Sequence, residues 1–141
     1  MKKILFIILL LSIKANSQEF TGCWKVISYE DGIVYINKIT DTFSYTDPSR
    51  KEETKSLREI AESLTFPITY NFNNDGSYVI GHPVLGKTKG HFEIDMQNKK
   101  IILIDENEKK EEVPFTFING ILYVKAKMVT DYVKFGLKKI N

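Results

Sequence analysis

The chain has 141 residues, of which 43% are hydrophobic and 27% are charged, and it contains one cysteine. This length fits one domain that buries a core of its own. A single cysteine excludes an internal disulfide bond, so packing alone must stabilise the fold.

The first 17 residues have the pattern of a secretory signal peptide. Two lysines precede an apolar run over positions 4–11, and small residues follow at positions 15 and 17. The run is shorter than the roughly 20 residues that a membrane span needs. We therefore predict a signal peptide over residues 1–17, a folded domain over residues 18–141, and export to the periplasm or the extracellular space. Without the lysines of the leader the domain is slightly acidic, which argues against a nucleic-acid surface.

Alternating apolar and polar residues predict strands over most of the domain. Asn119-Gly120 is a dipeptide typical of a two-residue hairpin turn, and Asn74-Asp75-Gly76 and Gln97-Asn98 separate further strand pairs. The charged stretch from Asp105 to Glu112 is predicted to be a solvated loop. Consecutive hairpins without βαβ alternation predict an all-β fold, an up-and-down antiparallel β-barrel of about eight to ten strands. A two-sheet sandwich is the alternative.

One segment, residues 48–64, is predicted to be an inserted amphipathic α-helix that begins at Pro48. Ser56 and Glu59 have the spacing of a capping box. The apolar stripe that would face the barrel follows helical spacing and consists of Leu57, Ile60, Ala61 and Leu64.

Gly22-x-Trp24 at the start of the first strand resembles the opening motif of the lipocalins and the wider calycin group of barrels. The hairpin over residues 72–78 and the strand over residues 90–95 resemble lipocalin-like domains of secreted bacterial proteins. The resemblance implies that Trp24 plugs the closed end of the barrel beneath a basic residue of the last strand, Lys138 or Lys139. Gly22 and Trp24 are then structural residues of the barrel base, and the interior is expected to hold a small apolar molecule.

The predicted function is binding of a small hydrophobic ligand inside the barrel. The alternative is an envelope interaction or structural domain whose barrel is filled by the same aromatic side chains, with no ligand. The candidate cavity-lining residues are the inward aromatics of the middle strands: Tyr70, Phe72, Tyr78, Phe92, Phe115 and Phe117.

Other motifs favour structural interpretations. Residues 81–88 match the phosphate-loop pattern GxxxxGK[ST], but a strand rather than a helix is predicted after the lysine. His82 and His91 have no neighbours at metal-ligand spacing, so we predict no metal, no cofactor and no catalytic residue. Cys23 follows a sequence that departs from a lipobox, and lipidation there is not expected.

Overall fold

The computed structural model describes residues 19–127 and 131–140, which form ten antiparallel strands in one sheet. The predicted signal peptide lies outside the described residues. The strands are β1 (Gly22–Glu30), β2 (Val34–Asn37), β3 (Thr42–Tyr45), β4 (Thr69–Phe72), β5 (Ser77–His82), β6 (Gly86–Asp95), β7 (Lys100–Asp105), β8 (Lys110–Ile118), β9 (Ile121–Lys127) and β10 (Tyr132–Ile140).

The sheet closes on itself through β1. One edge of β1 pairs with β10, while its other edge pairs with β4 over Gly22–Lys25 and with β2 over Ser28–Glu30. The closed ring therefore runs β1-β4-β5-β6-β7-β8-β9-β10, and the β2–β3 hairpin branches from it. This confirms the predicted up-and-down antiparallel barrel and excludes the two-sheet sandwich. We call the end that carries Gly22 the base and the opposite end the upper end.

A β-bulge in β1 sets which side chains face inward near the upper end. Val26 pairs with Leu137 and Ser28 pairs with Gly136, so one extra residue lies in β1 between these pairs. The extra residue reverses the alternation of inward- and outward-facing side chains along β1. Tyr29 therefore faces Phe135, with ring centroids 6.1 Å apart. The inner face is thus continuous on both sides of the bulge.

Gly90 marks the point where β6 passes from one neighbour to the next. It pairs with Tyr78 of β5 on one side and with Asp105 of β7 on the other. A side chain here would collide with the carbonyl oxygen of Ile104, because the two backbones approach too closely for a Cβ atom. Glycine at this position therefore permits the close approach of β6 to β7.

The inserted segment is helical, but it is not one regular α-helix. A 3₁₀-helix covers Pro48–Thr54, helix α1 covers Leu57–Ile60, and a π-helical turn covers Ala61–Thr65. The predicted capping box is wrong, because the Ser56 side chain makes no capping hydrogen bond. The cap is instead Asp47, whose carboxylate accepts a hydrogen bond from the backbone N–H of Ser49.

The helical geometry also changes which side chains face the barrel. The π-turn closes with a hydrogen bond from the N–H of Phe66 to the carbonyl of Ala61, and this wider turn moves the buried position to Phe66. Phe66 is completely buried, whereas Leu64 is 37% exposed. Ile60 is exposed as well, so the predicted stripe is wrong at two of its four positions.

The loop after β7 is shorter than predicted. The strand β8 begins at Lys110, and Lys110 and Glu111 already pair with Ile104 and Leu103 of β7. The first part of β8 was not predicted to be a strand, because its charged residues interrupt the alternation of apolar and polar residues on which strand prediction depends. Glu111 consequently belongs to the barrel wall.

Candidate ligand-binding site

The base of the barrel is closed by the residues that precede β1. Trp24 is 1% exposed, and its indole Nε1 donates a hydrogen bond of 2.8 Å to the carbonyl of Phe20. The Phe20 ring packs edge-on against Phe115, with centroids 4.9 Å apart. Lys139 places its Nζ 5.0 Å from the Trp24 ring and donates a hydrogen bond of 3.2 Å to the carbonyl of Glu19.

Gly22 belongs to the same arrangement. Its φ of +124° favours glycine, and an added Cβ would lie 3.2 Å from Cε of Lys139. Of the two lysines that the resemblance offers, Lys139 is therefore the one on Trp24, while Lys138 is exposed. Gly22, Trp24 and Lys139 therefore pack together at the base.

Aromatic side chains fill the barrel above the base. Phe117 packs edge-on against Trp24 at 6.1 Å, and Phe72 packs against Phe92 at 4.8 Å. Tyr78 is buried as well. These rings pack against one another in the lower half of the interior.

A cavity of about 70 Å³ remains next to these aromatic rings, and we call it the upper cavity. Two of the six predicted lining residues, Tyr70 and Phe72, contribute to its wall. The other four, Tyr78, Phe92, Phe115 and Phe117, do not line it. The full wall consists of Tyr70, Phe72, Ile80, Ile101, Leu103, Glu111, Val113, Val124 and Ala126.

The size of the upper cavity limits what it can hold. Pockets for drug-sized ligands measure about 300–1,000 Å³, and an engineered apolar cavity of about 150 Å³ holds benzene. A cavity of about 70 Å³ therefore accepts a group smaller than a benzene ring, such as a short branched alkyl chain. A long acyl chain does not fit without rearrangement of the aromatic side chains.

Tyr70 and Glu111 are the two polar side chains in this otherwise apolar wall. Burial, followed by the charge of Glu111, raises the pKa of Tyr70 to about 12. Burial also raises the pKa of Tyr78, with further contributions from Asp105, Glu111 and Glu106. Glu111 thus acts on both tyrosines, and both remain neutral at physiological pH.

A second concavity, which we call the base groove, lies between the β4–β5 turn and the lower half of β6. Its volume is about 710 Å³, and Phe92 is the one predicted lining residue that it includes. Several of its polar groups already serve the turns. Asn73 donates a hydrogen bond to Ser77 Oγ, and Asp95 accepts hydrogen bonds from Asn98. The groove is wider and more open than the upper cavity, whereas the upper cavity is more enclosed and more apolar, and for that reason we take the upper cavity as the candidate ligand site. The groove is lined by Asn73, Asn74, Gly76, Phe92, Glu93, Ile94, Asp95, Met96, Gln97 and Ile102.

The remaining motifs have structural roles. The phosphate-loop match forms the β5–β6 hairpin, and its lysine, Lys87, lies on a strand rather than at a helix N-terminus. At the hairpin tip, His82 Nδ1 accepts hydrogen bonds from the backbone N–H groups of Val84 and Leu85. Within the described residues, no three His, Cys, Asp or Glu side chains are grouped to hold a metal ion, and no helix is long and apolar enough to cross a membrane.

Sequence reasoning missed Glu111 as a site residue. The signal was present, because Glu111, Val113, Phe115 and Phe117 share one face at a spacing of two residues. That spacing was not recognised, because the charged neighbours of Glu111 led to the prediction of a loop.

Comparison with known proteins adds no family assignment. No protein-family model matches the sequence, and no curated protein matches it. One solved structure, a DUF4847 family protein from Bacteroides vulgatus ATCC 8482, is similar over 86% of this chain and 95% of its own. The two share 12% sequence identity with a TM-score of 0.46, so the match carries no functional information.

Proposed function

We propose that this protein is an exported, lipocalin-like binding protein, not an enzyme, that takes a small apolar group into the upper cavity. The observation that carries the proposal is the cavity itself, an apolar space in the interior of a barrel that is otherwise packed. Ile80, Val113 and Ala126 in its wall are only half-buried, so the space is not sealed from solvent. Export is supported by the leader pattern of residues 1–17.

The barrel base supports the lipocalin-like part of the proposal. Lys139 lies on the Trp24 ring, and Gly22 leaves the space that its side chain needs. These contacts correspond to what the sequence resemblance implies for a closed barrel end. A closed base and an accessible upper cavity define one direction of ligand entry, from the upper end.

Methyl NMR during titration with isobutanol tests the proposal. The four-carbon chain is smaller than benzene, and we expect weak, saturable binding, with a Kd on the order of millimolar. The methyl signals of Ile80, Leu103 and Val113 should shift and reach a plateau. Leu122 and Leu137, which are fully buried and do not line the cavity, should not shift.

A cavity-filling variant provides the matched test. In Ala126→Leu the larger side chain occupies the upper cavity, and isobutanol should no longer shift the methyl signals of its wall. Lys125→Leu adds a similar side chain on the outer face of the same strand and should leave binding unchanged. Equal binding by the Ala126→Leu variant would contradict the proposal.

A protein-interaction role with a filled barrel is the second candidate, favoured by the β5–β6 hairpin tip. Val84 and Leu85 at this tip are 69% and 83% exposed, more than any other large hydrophobic residues in the described part of the chain. Paired exposed aliphatic side chains are typical of contact surfaces. Failure of the wild-type cavity to bind isobutanol would favour this second role.

A further inference from the structure

We infer that the ligand of the upper cavity is a small organic cation, a primary amine whose short alkyl chain enters the cavity while its ammonium group binds Glu111. The inference rests on the proposed function and specifies its ligand class. It begins from the cavity wall, where eight of the nine residues listed above are uncharged and Glu111 is the one charged member. The wall contains no lysine or arginine.

Glu111 has no cationic partner among the described residues. Its neighbour Glu112 pairs with Lys100, the Nζ and Oε2 atoms lying 2.6 Å apart, but none of the ion pairs found in residues 19–127 and 131–140 includes Glu111. Asp105 is a second carboxylate in this region. It accepts hydrogen bonds from the backbone N–H groups of Asn107 and Lys109, which hold it in place. Glu111 is exposed, so an ammonium group at the solvent side of the cavity would meet a carboxylate that forms no ion pair with another described residue.

The Tyr70 hydroxyl completes the polar part of the site. It lines the same cavity as Glu111, and a tyrosine hydroxyl is neutral at pH 7, so its oxygen can accept a hydrogen bond from an ammonium N–H. An alkylammonium ion has three such donors, as the lysine side chain does. An anionic ligand, including a fatty acid carboxylate, would be repelled by Glu111.

The test compares isobutylamine with isobutanol, which share the same alkyl chain and differ in charge at pH 7. We expect the amine to bind about three- to fivefold more tightly, because an ion pair with the exposed Glu111 carboxylate is weakened by solvent. Raising the salt concentration from 0.05 to 0.5 M should weaken binding of the amine and leave the alcohol unaffected. The readout is the titration of the Ile80 and Val113 methyl signals.

Two single-residue variants locate the charge. Glu111→Gln should remove the preference and make the two affinities equal within about twofold, while Glu112→Gln, one residue away and outside the cavity wall, should retain it. Thermal melting confirms that both variants are folded. The inference would be overturned if Glu111→Gln still bound the amine more tightly than the alcohol. Equal binding of amine and alcohol by the wild type would also overturn the inference, but it would leave the proposed function intact. Binding of neither compound would overturn the proposed function and, with it, the inference.

Discussion

Trp24 contacts Phe20, four residues before it, and two residues that are distant in sequence. Its indole N–H binds the carbonyl of Phe20, its ring packs against Phe117, and Lys139 lies on its face. Each contact satisfies a different property of the side chain: the polar N–H, the apolar edge and the electron-rich ring.

Replacement of this side chain should therefore be costly. We expect Trp24→Ala to lower the free energy of unfolding by about 3–5 kcal/mol, because it leaves a large cavity at the base and removes the partner of the Phe20 carbonyl. Urea denaturation followed by circular dichroism measures the change. Tyr132→Ala, at an aromatic residue that is half-exposed, should change it by less than about 1 kcal/mol. Equal effects of the two substitutions would refute the role of Trp24 in closing the base.

Glu111 shows how a polar residue of a cavity wall is missed when its part of the strand is predicted to be a loop. Its position in the cavity wall depends on the pairing of β8 with β7, which a run of charged residues gives no reason to expect. The apolar members of the same strand, such as Phe115, were identified because burial of aromatic residues is the usual outcome. Polar residues that face a cavity are recognisable only once the strand register is known.

At the level of elements, turns were the most predictable features and irregular segments the least. Asn119 and Gly120 both have positive φ, at 51° and 78°, as the predicted two-residue hairpin turn requires. The bulge between Val26 and Ser28 depends on pairing with β10, and the close backbone approach at Gly90 depends on pairing with β7. Local patterns could not indicate them, because neither follows from the neighbouring residues.

The helical segment gives the sharpest contrast between sequence pattern and structure. Helical spacing selected Leu64, whereas the π-turn buries Phe66. We expect Phe66→Ala to reduce the free energy of unfolding by about 3–5 kcal/mol, because a fully buried ring is lost. Leu64→Ala should reduce it by no more than about 1 kcal/mol.

Urea titration of both variants provides the measurement. The two substitutions shorten apolar side chains two residues apart in the same segment, so each serves as the control for the other. A larger loss from Leu64→Ala than from Phe66→Ala would show that the segment adopts the regular α-helix that the sequence pattern favours.

For the whole molecule, three tyrosines make the fold sensitive to alkaline pH. Burial raises the pKa of Tyr29 above its ordinary value, assisted by the hydrogen bond that its hydroxyl donates to Asp31, and burial also raises the pKa of Tyr70 and Tyr78. In the unfolded chain tyrosine loses its proton near pH 10. Above that pH the folded protein binds more protons than the unfolded chain, so stability falls as pH rises.

We expect this loss to begin near pH 10 and to continue to about pH 12, the pKa of Tyr70. In the Tyr29→Phe/Tyr70→Phe double variant, the fall in unfolding free energy per pH unit should be shallower by up to about 1.4 kcal/mol for each tyrosine removed. Urea denaturation between pH 8 and 11.5 gives the slopes. Tyr132→Phe controls for the substitution itself, and a slope unchanged in the double variant would contradict the assignment.

Closure of the ring through β1 and β10 constrains when this protein can fold during its synthesis. Cys23 pairs with Ile140, so the first strand of the ring obtains one of its two partners from residues that the ribosome adds more than a hundred positions later. Until those residues emerge, β1 has an unpaired edge and the barrel cannot close. A nascent chain whose first strand keeps an unpaired edge over that interval depends on protection from aggregation.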